Sequence, residues 1–417
     1  MSYTPDFILK ELFYLNIFVV VWELFSTFAP SISIAEKMMS KISNPFIVSG
    51  KIPPAYFCDR EAETAQLAKF LNNEENVVLM SQRRMGKTKL VEHCFEGAAI
   101  AGDSLLISID ILHTTSFQEF IQVLGGAVFD VVAKRSTRLM KLFTATLRSL
   151  SGSFGYDPVQ NTPTFDIRLG DISMPEYTLR EIFQYIEQAG QRCIVVIDEF
   201  QQLTKYPEKN VEAMLRTHIQ SLSNANFVFS GSQRRLMEEL FFSEKRPFYM
   251  SARSIQLAPI TFDVYCDFAM SHFRKAGKAI VEDAVRHVYD TFMGVTLYLQ
   301  RIMKDAFSVT ATGDICDRAT VERLVADYVL ECEPRLREQM AFVTEAQKEL
   351  LYAVSEEPGP VKSITAATFT KRHRLKSPSA VQAASKRLLE YDLLTRQEGL
   401  YSIADPLLAL WLKTNRL

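Results

Sequence analysis

The chain has 417 residues, 47% of them hydrophobic and 23% charged, with a formal net charge of −2. That length exceeds one ordinary core and asks for two or three domains. The balanced charge gives no global field that would draw nucleic acid or a membrane surface. Six cysteines (Cys58, Cys94, Cys193, Cys266, Cys316, Cys332) are scattered without a C-x-x-C pair. This argues against zinc and against a disulfide framework, and fits reduced thiols in the cytoplasm.

Residues 1–43 differ from the rest. Leu12–Phe28 is apolar but carries Asn16 and Glu23, and Lys10 is its only upstream basic residue. A spanning helix needs about 20 mainly apolar residues, and a cleavable signal has a different layout. Three readings stay open: a non-native extension from an early start codon, which we prefer, a helix packed on the body or a partner, and a membrane anchor.

From Val77 short apolar runs alternate with helix-length segments. The runs are Val77–Met80, Leu105–Ile109, Cys193–Ile197, Asn226–Ser230 and Ile255–Leu257; helical patterns cover Lys87–Phe95, Ser116–Ala133 and Pro175–Ala189. This alternation predicts an α/β domain with a parallel sheet covered on both faces. Ser151–Asp171, with Gly, Pro and Asn, reads as a loop or small hairpin inserted before the third strand.

After Pro259 the strand signal stops. Phe262–Ala276, Glu282–Phe292, Leu297–Val309 and Ala319–Glu333 read as helices of a separate helical domain. Glu345–Ser355, Ser363–His373 and Ser377–Glu390 read as three more, and Leu394–Arg396 and Leu400–Ile403 flank a Gln-Glu-Gly turn. Three helices and a short hairpin predict a winged helix.

The chemistry is carried by Ser81-Gln82-Arg83-Arg84-Met85-Gly86-Lys87-Thr88, which follows the first strand and opens a helix through Lys89. It matches G-x-x-x-x-G-K-[ST] except for Ser81 at the first glycine. In such a P-loop the backbone N–H groups and the helix N-terminus point at phosphate oxygens. Lys87 would sit on the β- and γ-phosphates and the Thr88 hydroxyl on Mg²⁺. Asp198 and Glu199 end the apolar run from Cys193. Asp198 is expected to hold Mg²⁺ through its water shell, and Glu199 to orient or deprotonate the attacking water. Ser230 and Ser232, after the next strand, are polar candidates for the γ-phosphate or the water. Arg253 is a candidate phosphate arginine for its own or a neighbouring subunit. A solvated turn and a surface arginine are the plain alternatives.

Val361–Leu417 holds ten Lys/Arg against four Asp/Glu, with Lys371, Arg372, Arg374 and Lys376 clustered before the third winged-helix segment. DNA binding is one reading. Intramolecular packing or self-association through a solvated basic face is preferred.

These blocks resemble the STAND branch of the AAA+ ATPases, in particular an ATPase family described mainly from archaea and also found in bacteria. The resemblance runs from about Asn44 to the C-terminus. Phe57-Cys58-Asp59-Arg60-Glu61 is similar to that family's F-x-G-R-E motif, with Asp59 for Gly, which makes Arg60 and Glu61 base-proximal by resemblance. Paired arginines in the loop, Leu236–Phe241, Arg253…Pro259 and Asp405-Pro406…Trp411 also fit. Met293–Leu299 departs from the family's Gly-Gly-x-Pro lid, lacking one Gly and the Pro that typically senses nucleotide. The resemblance implies an AAA+-like P-loop NTPase with a helical lid and a C-terminal winged helix. The expected division is 1–43, 44–259, 260–340 and 341–417. An ATP/Mg²⁺-dependent hydrolase acting as a conformational switch is expected, with a nucleotide-binding scaffold of little turnover or a DNA-binding regulator as rivals. Expected partners are ATP and ADP, a further copy of the chain and an unnamed protein, with no membrane.

Overall fold

A computed structural model describes residues 44–97, 100, 104–135, 137–157 and 162–415. The apolar segment of residues 1–43, with its three readings, lies outside the described residues. The strands are β1 Val77–Met80, β2 Leu105–Asp110, β3 Phe154–Asp157, β4 Thr162–Phe165, β5 Cys193–Asp198, β6 Ala225–Gly231, β7 Arg253–Gln256, β8 Ala279–Ile280, β9 Ile315–Cys316, β10 Leu394–Gln397 and β11 Leu400–Ile403.

Five of them form one parallel sheet in the order β2-β5-β6-β1-β7. Alternate side chains leave opposite faces of a strand, and both faces here are covered. Val78, Met80, Ile107, Val195, Ile197, Phe227 and Phe229 pack with the helices Phe117–Arg135, Pro175–Gln188 and Arg234–Phe242. Val77, Leu79, Ile194, Val196, Val228 and Ile255 pack with Glu61–Asn72 and Lys87–Glu96. Double burial explains why these strands read as continuous apolar runs. The expected insertion before the third strand is the antiparallel hairpin β3–β4, joined to the helix Thr137–Thr146 by aromatic packing of Phe143 on Phe154 and Phe165.

Beyond Pro259 come the helices Phe262–Lys275, Glu282–Thr291, Thr296–Val309 and Arg318–Ala341, then Glu345–Glu356, Ala367–Arg372, Pro378–Glu390 and Pro406–Thr414. One hydrophobic core runs through all of this part, from Tyr265 and Phe273 through Leu336 and Met340 to Leu388, Leu407 and Trp411.

Two expected helices differ. The fourth passes Glu333 and continues through Pro334 to Ala341. Proline at 334 frees the carbonyl four residues back, at Leu330. Leu330 is 63% exposed, so this break in the hydrogen-bond ladder falls on the solvent side of the helix. The segment Ser363–His373 is helical only over Ala367–Arg372: Val361 exchanges backbone hydrogen bonds with Tyr401 of the wing, and a turn closed by Ala366 N–H on the Ser363 carbonyl separates that bridge from the helix. Among the described residues no helix is long and apolar enough to cross a membrane.

Candidate nucleotide-binding site

The carboxyl ends of β1, β5 and β6 lie together because the parallel register pairs Met80 with Gly231 and aligns β5 with β6. Ser81–Gly86 leaves β1 and turns into the Lys87–Glu96 helix. Arg84 and Gly86 adopt positive φ, +67° and +85°, which lets the chain reverse and aim the helix N-terminus across the sheet edge. A side chain at Gly86 would meet open space, so the demand there is conformational.

Lys87 is 6% exposed, and among the described residues its ammonium has only long contacts, 3.4 Å to Ser81 Oγ and 3.4 Å to the Gln82 carbonyl. Burial holds its pKa below the ordinary lysine value, against the pull of Glu199 and Asp198. A buried cation with such weak partners suits an anion that arrives from outside. Thr88 Oγ1 donates to Asp198 Oδ2 at 2.5 Å, bringing a hydroxyl and a carboxylate from two elements to one point.

Glu199 sits at φ +55°, a conformation that turns its side chain back over the sheet edge. Its Oε2 accepts from Gln201 Nε2 at 2.5 Å and from Ser232 Oγ at 2.7 Å. Arg83 Nε lies 3.4 Å from the same Ser232 hydroxyl. Ser230 Oγ is buried with no hydrogen-bond partner among the described residues. Gly231 between them lies close to its neighbours: a Cβ there would require the Met237 and Gln201 side chains to move.

The structure therefore brings Ser81–Thr88, Asp198, Glu199 and Ser232 to one place. Lys89 pairs with Glu92 at 2.6 Å on the helix surface. Arg60 is buried and bonds Glu63 at 2.6 Å and the Ala258 carbonyl at 2.8 Å, tying the Glu61–Asn72 helix to the strand that leads into the lid. Glu61 is exposed in the first turn of that helix. Arg253 is not brought to this end. It begins β7 opposite Val77, at the amino edge of the sheet, and lies over the Phe70 ring at 4.9 Å with Glu75 at 3.8 Å.

The partners of the two loop arginines, Asp392, Asp405 and Tyr298, were not read as site residues from the sequence. Arg83 pairs with Asp392 at 3.0 Å, and Arg84 pairs with Asp405 at 2.5 Å and donates to the Tyr298 hydroxyl. Tyr298 in turn donates to Asp405 at 2.6 Å. Burial alone would lower the Arg84 pKa, but Asp405 and Tyr298 outweigh it and raise it. Leu297 N–H donates to the Arg84 carbonyl at 3.1 Å, and Met85 packs into the helical core. The only local signal was the Asp405-Pro406 pair, where Asp405 caps the last helix by accepting from Leu407 N–H. Nothing local marks Asp392.

In the basic winged-helix cluster, Arg372 bonds Glu357 at 2.8 Å, and His373 lies 2.7 Å from Glu357 and 3.2 Å from Glu356. His373, with Arg372, holds the Glu357 carboxyl below its usual range.

A parallel sheet in which an interior strand, β1, runs into a Gly-Lys-Thr turn and helix, with Asp-Glu at the end of β5 one strand beyond its neighbour β6, defines a P-loop NTPase. Comparison with known proteins agrees and narrows it. Residues 57–302 match the family described as an ATPase domain predominantly from Archaea, and residues 335–414 match "Probable winged helix domain". The chain belongs to that archaeal-type ATPase family. The Walker-type ATPase PABY2304 of Pyrococcus abyssi has a similar structure, with 18% identity, a TM-score of 0.62, and coverage of 88% of this chain and 99% of that one. The Aeropyrum pernix ORC2 protein, solved as ADPNP–ADP complexes, has 12% identity, a TM-score of 0.54, and coverage of 90% and 98%. At these identities the likeness is one of fold. No curated protein sequence matches the chain.

Proposed function

We propose that the chain binds ATP at Gly86–Thr88, hydrolyses it with Mg²⁺, and uses the cycle as a conformational switch. The observation that carries this is the buried Lys87 ammonium, whose contacts among the described residues are both 3.4 Å, beside the Thr88–Asp198 pair and Glu199. Lys87 and the N–H groups of the helix start would take the β- and γ-phosphates. Thr88 Oγ1 and Asp198 are oxygen donors of the kind a hard cation needs and would hold Mg²⁺. When bound, Mg²⁺ supplies charge neutralisation at the β- and γ-phosphate oxygens. Glu199 would take a proton from the attacking water, whose oxygen bonds the γ-phosphorus as the bond to ADP breaks. Gln201 and Ser232 both donate to Glu199 Oε2, so Oε1 would be the oxygen left to accept from the water. Ser232 then acts by orienting Glu199.

We assign the chain to the STAND type on the basis of its lid and winged helix. The working divisions are 44–259 for the ATPase domain, 260–340 for the lid and 341–417 for the winged helix. Arg83 and Arg84, which reach the last two parts, are the natural route for coupling. Self-association and a protein partner in the cytoplasm fit a switch of this type. DNA is the less favoured ligand, since Arg372 and His373 already serve Glu356 and Glu357.

The rival reading, a scaffold with little turnover, draws on Thr296. It opens the Thr296–Val309 helix, the first-turn position that suits proline, and its Oγ1 is buried without a partner among the described residues. Phosphate release decides between them. Wild type is expected to turn over ATP, with Glu199→Gln lower by about a hundredfold or more and Lys87→Ala inactive. Equal release from all three would end the hydrolase reading, and tight nucleotide binding with no release from wild type would select the scaffold.

A further inference from the structure

Asp392 closes the turn between the Pro378–Glu390 helix and β10. Its φ is +57°, a left-handed conformation that is uncommon for any residue but glycine and best tolerated by Asn and Asp. The turn is fixed by bonds from Asp392 N–H to the Leu389 carbonyl and from Leu393 N–H to the Leu388 carbonyl, at 3.3 and 2.9 Å. A rigid turn thus holds a carboxylate over the loop that follows β1.

That carboxylate stands in an unusual place. It is 3.0 Å from Arg83 Nε, and the same nitrogen is 3.4 Å from Ser232 Oγ, which donates to Glu199. Arg83 therefore lies on the side of the site where water and the terminal phosphate would meet. Burial raises the Asp392 pKa above the ordinary aspartate value; Arg83 pulls it back toward the charged form, Glu199 pushes it further up, and Lys205 and Lys87 lower it. The Asp392 side chain is 20% exposed, while that of Arg83 is 47% exposed and open to a ligand arriving from solvent.

We propose that Asp392 discriminates triphosphate from diphosphate, because its carboxylate holds on Arg83 the place that a γ-phosphate would claim. This rests on the reading of Gly86–Thr88 as the phosphate cradle. ADP fills the β-phosphate position and leaves the Arg83–Asp392 pair intact. ATP brings further negative charge into a space already holding Asp392, Asp198 and Glu199. It binds well only if Arg83 is released from Asp392 and the winged-helix turn withdraws. A ligand shifts a conformational equilibrium only by its differential affinity for the two states. Here the γ-phosphate alone supplies that difference. Arg84, held by Asp405 and Tyr298 on the other side of the loop, keeps the winged helix tethered while Arg83 exchanges partners.

The test is calorimetric titration of the full chain with ADP and with a non-hydrolysable ATP analogue, both with magnesium. Asp392→Asn keeps the shape and suits the backbone. It is expected to tighten the triphosphate by about tenfold or more, the scale of one lost charge conflict, and to leave ADP within about twofold. Asp392→Gly also suits the turn and has to give the same change in the ratio. Asp405→Asn, which weakens the Arg84 tether instead, has to leave the ratio unchanged. Equal tightening of both nucleotides, or no change in either, overturns the proposal while leaving the nucleotide-site reading intact. Failure of wild type and both Asp392 variants to bind either nucleotide removes the phosphate cradle, and the proposal with it.

Discussion

The two edges of the five-stranded sheet carry similar residues and use them differently. At the amino edge, Arg192 donates to the Leu71 carbonyl and to Asn226 Oδ1 at 3.1 Å, Asn76 Oδ1 accepts from Phe227 N–H at 2.8 Å, and Arg253 covers Phe70. These partners are backbone groups and fixed neighbours. At the carboxyl edge, among the described residues, Lys87 has only 3.4 Å contacts and Ser230 Oγ has no partner, while Arg83 and Arg84 reach residues far along the chain. Polar groups at the first edge hold strands together. Those at the second are held by partners that a ligand can replace, and that difference locates the site.

Mutations at the two edges sharpen the contrast. The largest effect is expected from Lys87→Ala. Loss of the buried ammonium lowers ADP affinity by about a hundredfold, with the melting temperature of the nucleotide-free protein little changed. Unaltered affinity by titration would mean that the carboxyl edge does not hold phosphate. Next is Arg192→Ala. It removes charge-assisted bonds to partly buried acceptors and costs about 2–3 kcal/mol of stability, read from denaturant unfolding, with nucleotide affinity kept. The smallest effect is expected from Arg253→Ala. A surface cation–π contact and a 3.8 Å ion pair leave stability within about 1 kcal/mol and turnover unchanged. Steep loss of turnover in that variant, with activity that depends on protein concentration, would instead assign Arg253 to a neighbouring copy.

The sheet was legible because doubly buried strands write themselves as apolar runs; Val77–Met80 was read with the ends it has. The helix Glu61–Asn72 was not singled out, since its first turns are polar and its buried residues, Leu67, Ala68, Phe70 and Leu71, crowd its second half. The ends of two helices were misread: the one placed at Glu333 carries on through Pro334, and the start placed at Ser363 gives way to a turn beside the Val361–Tyr401 bridge. The loop, Asp198 and Glu199 were legible because their spacing is local chemistry. Arg83 and Arg84 were legible as loop residues but not as bridges. Arg84 and Asp405 lie 321 positions apart, and only the folded chain makes them neighbours.

The continuous core beyond Pro259 has a consequence for anyone trimming the protein. The Arg318–Ala341 helix faces both ways: Val321 and Val325 lie toward its start, while Leu336 and Met340 join Leu407, Leu408 and Trp411. A fragment ending at residue 340 would present that second half to water as an apolar stripe, and self-adhesion would follow. The winged helix is thus no detachable appendage. Exchanging it for another by recombination would demand a matching surface on the long helix, so the two are expected to pass together through any domain shuffling.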